Sequence, residues 1–288
     1  MSLLNVDKLT MRFGGLTALS EVSFGVEKGS ITALIGPNGA GKTTVFNCVT
    51  GFYKASQGEI SLNRQGHKRQ DLVEMLGLPF ELKDFVQPAA FMRRLYFKLF
   101  GGSHRVTRAG VARTFQNIRL FREMTALENL LVAQHERVNR NLLSGILQTA
   151  TYRRSEQDAL DRALYWLSEL GIEESANLLA GALPYGHQRR LEIARALCTD
   201  PVLICLDEPA AGLNPRETTE LSATIRKLRE RHGITIFLIE HDMGLVMDIS
   251  DHVVVLDHGE VIARGTAKEV QNNARVLEAY LGVEDDAA

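Results

Sequence analysis

The stretch of sequence that decides the fold is Ile31-Thr32-Ala33-Leu34-Ile35-Gly36-Pro37-Asn38-Gly39-Ala40-Gly41-Lys42-Thr43. It begins with an apolar run of strand length and continues into the phosphate-binding pattern G-x-x-x-x-G-K-[ST], which opens a helix. The glycines allow backbone N–H groups to face phosphate oxygens, and the helix adds the positive end of its dipole. We therefore predict a nucleotide phosphate site formed by Gly36, Pro37, Asn38, Gly39, Ala40, Gly41, Lys42, Thr43 and the adjacent Thr44.

Two side chains of this turn have predicted roles of their own. Lys42 would contact the β- and γ-phosphates, and the Thr43 hydroxyl would coordinate Mg²⁺. The alternative, a glycine-rich turn with a solvated lysine, does not explain why the pattern stands directly between an apolar strand and a helix.

A pair of acids, Asp207 and Glu208, follows an apolar strand at residues 203–206. Ligands of α/β proteins bind outside the carboxyl ends of the strands, where such a pair would lie. We predict that Asp207 belongs to the Mg²⁺ shell and that Glu208 is the general base for an attacking water. Two acids can also merely end a strand, but the phosphate pattern upstream favours the functional interpretation.

The distribution of apolar runs predicts an α/β fold. Runs at residues 31–34, 202–206 and 234–239 alternate with helical patterns, which indicates a buried and mainly parallel sheet. Shorter, more polar strands are predicted at residues 6–9, 22–26 and 59–62, in a small antiparallel sheet beside this core.

Between about residues 125 and 197 the pattern predicts helices only. Thr125 and Glu128 fit a capping box. A later helix carries an apolar stripe at positions 160, 163, 164, 167 and 170 and is predicted to end at Gly171 with a left-handed cap. We expect one domain over residues 1–282, with a catalytic core at about 1–116 and 200–282, a helical lobe at about 117–199 and an acidic tail at 283–288.

The segment from about residue 65 to 107 fits neither part. It contains five of the chain's 12 phenylalanines, at positions 80, 85, 91, 97 and 100, interleaved with Arg93, Arg94 and Lys98. We favour a helix whose aromatic face packs on its own domain. The alternative is a docking surface for a membrane partner.

Composition excludes several classes of function. The chain has 33 basic and 35 acidic side chains, a formal charge of −2, so no general positive field attracts nucleic acid. The N-terminus does not resemble a secretory signal, and no stretch approaches the roughly 18 uncharged apolar residues of a spanning helix. We expect a soluble or peripheral protein whose cysteines, Cys48, Cys198 and Cys205, are reduced, buried thiols.

Three further motifs make a resemblance specific. They are Thr114-Phe115-Gln116, a loop that opens a helix, and His241 after the strand at 234–239; the loop consists of Leu183, Pro184, Tyr185, Gly186 and His187. In this order, with the phosphate motifs, they resemble the ABC ATPase family. The resemblance implies ATP and Mg²⁺ as ligands.

The resemblance also implies a role for each motif. Gln116 would be the family's lid-sensing glutamine, reaching the metal and the water, and His241 would contact the γ-phosphate and the water. The loop at 183–187 would be the signature loop, which caps the γ-phosphate of ATP held by a partner subunit. Phe13 would stack on adenine. The catalytic set implied in this way is Glu208, His241, Gln116 and Lys42, with Thr43, Gln116 and Asp207 at the metal.

Local strings at residues 111–121, 189–195 and 208–215 look like the ATP-binding subunit of branched-chain amino-acid importers. This narrower resemblance implies a peripheral subunit at the cytoplasmic face of the inner membrane that couples ATP hydrolysis to uptake. Its implied partners are a second ABC ATPase, which the resemblance favours as a paralogue, two transmembrane permeases and a periplasmic binding protein. The alternatives are ABC ATPases of urea or lipopolysaccharide transport, an ABC ATPase of chromosomes or ribosomes, and a simple kinase or GTPase.

This sequence departs from the family pattern at two motif positions. Pro184 stands where the signature loop usually has serine, and Asn214 stands where many relatives have aspartate. Asn214 and Pro215 also fit an N-cap and first helical residue. The resemblance does not extend over about 65–107, an atypical insertion.

Overall fold

The computed structural model describes residues 2–64, 66, 68–77, 88–138 and 142–281. Phe80, Phe85 and the acidic tail at 283–288, which the sequence analysis singled out, lie outside the described residues. Within them the chain forms two sheets and a group of helices. The strands are β1 (Ser2–Phe13), β2 (Leu16–Glu27), β3 (Ile31–Ile35), β4 (Gln57–Leu62), β5 (Gln70–Asp71), β6 (Val111–Arg113), β7 (Leu203–Asp207), β8 (Thr235–Ile239), β9 (His252–Asp257) and β10 (Glu260–Gly265).

The helices follow the same chain order. They are α1 (Lys42–Val49), α2 (Leu72–Met75), α3 (Pro88–Phe100), α4 (Ser103–Arg108), α5 (Ala126–Ala133), α6 (Leu142–Ile146), α7 (Ala150–Glu169), α8 (Tyr185–Leu197), α9 (Pro215–His232), α10 (Met243–Ile249), α11 (Ala267–Gln271) and α12 (Ala274–Leu281).

The larger sheet has the strand order β10-β9-β3-β8-β7-β6, and all its neighbours are parallel except the β9–β10 hairpin. Its central strands β3, β7 and β8 are buried along their whole length, which explains their continuous apolar sequences. Alternate residues enter two different cores: Ile204 and Leu206 face one, and Leu203 and Cys205 face the other. The predicted parallel core is therefore confirmed.

The smaller sheet has the order β2-β1-β4-β5 and is antiparallel throughout. It packs its buried residues with α1 and with one face of the larger sheet, where the Phe46 and Phe237 rings meet at a tilt with centroids 5.3 Å apart. The predicted antiparallel sheet is present. Its first two strands are 12 residues long, so the prediction of short strands was wrong.

The helical lobe carries the predicted end signals. Thr125 and Glu128 form a capping box on α5. Gly171, just after α7, has a φ of 65°, the left-handed conformation that glycine adopts without a steric penalty. The stripe predicted on α7 is buried at Ala163 and Leu167, but Leu164 is 42% exposed, because it lies beyond the edge of the buried face.

Helix α3 of the aromatic segment is only partly packed. Phe91, Leu95 and Phe97 are half-buried. Four large apolar side chains are exposed, namely Met92, Tyr96, Leu99 and Phe100. The favoured prediction, a helix whose aromatic face packs on its own domain, was therefore wrong for the Tyr96 and Phe100 rings. The exposed side of α3 instead carries aromatic as well as aliphatic groups.

The three cysteines are buried and free. Burial raises the pKa of the Cys48 and Cys198 thiols to about 12, and it raises the pKa of Cys205 further. The prediction of buried thiols is confirmed. None of the helices in the described ranges is both long and apolar enough to cross a membrane.

Candidate functional site

The turn predicted to bind phosphate lies where β3 ends and α1 begins. Gly41 caps α1 in a left-handed conformation, with φ 99°, and as a glycine it has no side chain that could cap the first N–H groups of the helix. A cavity of about 280 Å³ adjoins them. It is lined by Asn38, Gly39, Gly41, Lys42, Thr43, Thr44, Glu208 and His241. Residues from three distant parts of the sequence thus meet at the edge predicted from strand direction.

Lys42 is folded back onto its own turn. Its ammonium donates hydrogen bonds to the carbonyl oxygens of Gly36, at 2.7 Å, and Pro37, at 2.9 Å. Burial lowers the pKa of Lys42, and the Glu208 carboxylate acts in the opposite direction. These two carbonyls hold the cation beside the cavity.

The carboxylate of Glu208 is held on both sides. Gln116 Nε2 donates to one oxygen at 2.7 Å, and His241 Nε2 lies 3.0 Å from the other. Glu208 also has a φ of 46°, a left-handed backbone that a residue with a side chain adopts only at an energetic penalty. Three residues that the sequence analysis assigned separately therefore form one contiguous group at the mouth of the cavity.

Asp207 has a partner that the sequence analysis did not predict. Its Oδ2 accepts a hydrogen bond from Arg113 Nη2 at 2.7 Å, and both side chains are about nine-tenths buried, with relative exposures of 8% and 10%. The other terminal nitrogen of Arg113 donates to Asn47 and Thr50 at 2.6 Å and 3.0 Å. This guanidinium therefore ties the end of β7 to α1, the helix that follows the phosphate turn.

Glu240 is a second residue that the sequence analysis missed. It is 4% exposed, and its two oxygens accept from the backbone N–H groups of Ala210, at 2.7 Å, and His241, at 3.0 Å. Burial raises the pKa of Glu240, while these N–H groups oppose the shift. The carboxyl group joins the loop after Glu208 to the loop that carries His241. An acid directly at the end of an apolar strand was its only sequence signal.

The loop at residues 183–187, all within the described part of the chain, lies outside this cavity. Pro184 is the N-cap of α8, with no side-chain cap. The Tyr185 hydroxyl donates to the carbonyl oxygen of Ala211 at 3.1 Å, so the loop rests on the segment after Glu208. His187 lies 3.5 Å from the Ser175 hydroxyl.

Phe13 lies at the end of β1 and is 43% exposed. Its ring meets Tyr53 edge to face at 5.4 Å and is not among the residues lining the phosphate cavity. Asn214 is the N-cap of α9, in a capping box with Glu217, and Pro215 is the first helical residue, as predicted.

Comparison with known proteins identifies the family. Residues 19–211 match the family model described as ABC transporter, which is more than half of the chain. The chain belongs to this ABC transporter family of ATP-binding cassettes. It is an ABC ATPase. Residues 260–286 match a second model, described as branched-chain amino acid ATP-binding cassette transporter.

Individual ABC proteins are similar over almost the full length. The high-affinity branched-chain amino acid transport ATP-binding protein BraF of Pseudomonas aeruginosa is 50% identical over 280 residues, 97% of this chain and 98% of that protein. LivG of Escherichia coli, with the same description, is 49% identical with the same coverage. A crystal structure of an ABC transporter cassette in its ADP conformation has a TM-score of 0.73 at 31% identity, and covers 98% of this chain and 99% of that chain.

Proposed function

We propose that this ABC ATPase couples ATP hydrolysis to the uptake of branched-chain amino acids across the cytoplasmic membrane. The observation that carries the hydrolytic part is the Glu208 carboxylate, held between Gln116 and His241 at the mouth of the phosphate cavity. The names of BraF and LivG support the amino-acid substrate over urea or lipopolysaccharide.

In the proposed reaction, the phosphates of ATP occupy the cavity and Lys42 exchanges its backbone carbonyl partners for phosphate oxygens. Glu208 accepts a proton from the attacking water as the water oxygen bonds to the γ-phosphorus and the bond from that phosphorus to the bridging oxygen breaks, which releases ADP and phosphate. Gln116 and His241 orient the carboxylate and the water. Phosphoryl transfer depends on positioning and charge neutralisation, so the proposed roles divide: Glu208 positions the water and Lys42 neutralises phosphate charge. Phe13 is proposed to contact the adenine.

The residues proposed for Mg²⁺ fit the ion chemically. Thr43, Asp207 and Gln116 offer oxygen ligands, which Mg²⁺ prefers, and Mg²⁺ needs few of them because it keeps water and phosphate ligands. When bound, the ion neutralises phosphate charge. Arg113 fixes one oxygen of Asp207, which limits how far that carboxylate can turn.

The proposed working unit is a head-to-tail pair of ATPase subunits at the cytoplasmic face of the membrane. Each subunit supplies its loop at 183–187 to the ATP held by the other, and the second subunit is proposed to be a paralogue. The helical lobe at about 117–199 would transmit closure to two permeases that receive the solute from a periplasmic binding protein. The position of the loop outside the subunit's own cavity supports this arrangement.

Uptake in cells tests the proposal. Deleting the gene should abolish ATP-dependent uptake of radiolabelled leucine, and a plasmid copy should restore it. A copy with Lys42→Ala should fail to restore uptake, because the variant lacks the cation for the phosphates. Lys68→Ala, a change at an exposed lysine outside the cavity, is the matched control. Normal leucine uptake with Lys42→Ala, at equal protein level, would contradict the proposal.

Pro184 has a consequence for turnover. Proline lacks both a hydroxyl and an N–H donor, so this loop offers the partner's γ-phosphate fewer hydrogen bonds than a serine would. A hydrogen bond to a charged group contributes about 1.5 to 3 kcal/mol, and proline recovers part of that by fixing the loop in advance.

We therefore expect Pro184→Ser to raise kcat of the assembled transporter by up to about tenfold if the new contact is stronger in the transition state. If the contact is equally strong in bound ATP, only KM for ATP should fall. Pro215→Ser, at the exposed first residue of α9, is the matched control in steady-state phosphate release. A variant slower than wild type with unchanged KM would show that Pro184 is itself the favourable residue.

A further inference from the structure

Helix α8 carries two charged side chains into the protein interior. Arg189 is 0% exposed and Glu192, one turn later, is 1% exposed. Charged side chains are almost never buried to this degree without specific partners. Their contacts therefore indicate what the pair is for.

The partners are backbone groups of the segment that carries Gln116. Arg189 Nη1 donates to the carbonyl oxygen of Phe115, and Nη2 donates to that of Gln116, both at 2.8 Å. Glu192 Oε1 accepts from the N–H groups of Phe115 and Arg119, both at 3.3 Å. Arg189 and Glu192 also bond to each other at 3.0 Å.

These contacts tie the segment to α8 through both kinds of backbone polar group. Arg189 binds carbonyl oxygens and Glu192 binds N–H groups, so the segment cannot leave α8 without breaking several hydrogen bonds at once. Both polar groups of the Phe115 backbone are engaged. Burial raises the pKa of Glu192, which Arg189 and the two N–H groups oppose. The segment should therefore follow α8 as one body.

The same helix begins at the loop proposed to cap the partner's ATP. Arg189 Nη2 also lies 3.3 Å from the Tyr185 hydroxyl, which itself bonds to Ala211. At the other end of the connection, the Gln116 side chain donates to Glu208. A continuous series of contacts thus runs from the loop at 183–187, through Arg189, to the Glu208 carboxylate.

We infer that Arg189 and Glu192 are positioning residues that fasten the glutamine segment to α8, so that movement of the signature loop sets the position of Gln116 at Glu208. This inference rests on the proposed function. Stability alone does not explain the pair, because well-packed apolar side chains in place of a buried ion pair are often neutral or stabilising.

The first test is a double-mutant cycle on the assembled transporter, with steady-state ATP turnover as readout. Arg189→Met should lower kcat by about 10- to 100-fold, the effect of misplacing a catalytic group. In a Gln116→Ala background, Arg189→Met should lower kcat by no more than about twofold. The Gln116 side chain, through which Arg189 is proposed to act on Glu208, is already absent there. Equal factors in both backgrounds would overturn the inference.

A second measurement is independent of activity. Arg189→Met removes the cation that is bonded to the buried Glu192 carboxylate. The double variant Arg189→Met with Glu192→Leu replaces both charges by apolar side chains and should keep the fold. Hydrogen exchange at the Phe115 and Arg119 amides should become at least about tenfold faster in it, with Tm close to wild type. Unchanged exchange would overturn the inference. If exchange becomes faster in the double variant but the unmutated transporter does not hydrolyse ATP, the inference stands and the proposed function is contradicted.

Discussion

Replacing Glu208 by glutamine is expected to lower ATP turnover of the assembled transporter by about 10²- to 10⁴-fold, the usual effect of losing a general base. In the native protein, Gln116 and His241 contact the two carboxylate oxygens of Glu208. The amide keeps the shape of the side chain and can still form hydrogen bonds to both residues. It cannot accept a proton from water. ATP binding should therefore persist while hydrolysis becomes much slower.

Phosphate release and equilibrium binding of a fluorescent ATP analogue measure the two properties separately. Glu260→Gln makes the same chemical change at an exposed position of β10 and should leave both unchanged. Turnover of Glu208→Gln within about a factor of two of wild type would show that another group is the base.

Gly36→Ala should have the second large effect, on the fold of the phosphate turn itself. A Cβ at this position would lie 2.0 Å from the carbonyl oxygen of Leu256, a fully buried residue of β9. Gly36 also has a φ of 149°, which side-chain-bearing residues rarely adopt. Backbone of β3 or β9 must move to admit the methyl group.

Overpacking of this kind, with the backbone strain added, should lower the free energy of unfolding by about 3 kcal/mol. In a chain of this size Tm falls by about 2–4 °C per kcal/mol, which a thermal scan resolves. Affinity for the ATP analogue should fall at least about tenfold, because the N–H groups that face phosphate are displaced. Gly15→Ala is the control, since its Cβ would have nothing within 4 Å. A normal Tm for Gly36→Ala would contradict the close contact.

The central strands could be predicted because burial on both faces leaves a continuous apolar signal, as in β7. The length of β1 could not be predicted from alternation. Its pairing with β2 shifts register several times, and Lys8 and Glu21 have φ values of 46° and 48°. Each shift moves subsequent side chains to the other face and interrupts the period of two.

The residues around the cavity were found from motif order and strand direction, and their chemical roles stay predictions. Arg113 and Arg189 were missed because a charged residue is normally read as exposed. The partners that make their burial favourable lie far away in the sequence. Asp207 is 94 positions from Arg113, and Phe115 is 74 positions from Arg189. One local signal existed on α8, where Arg189 and Glu192 share the stripe of buried Ile193 and Ala196.

Because the three native cysteines are buried, the chain can be labelled at introduced cysteines without removing the native ones. Thiolates are the species that react with maleimides, and burial raises the pKa of the Cys48 and Cys198 thiols to about 12, so these thiols stay protonated at neutral pH. Dyes would therefore attach selectively to cysteines introduced at exposed positions, such as Leu164 on α7 and Arg216 on α9. Energy transfer between them would report how the helical lobe moves during turnover, and slow labelling of the native thiols would time the opening of the core.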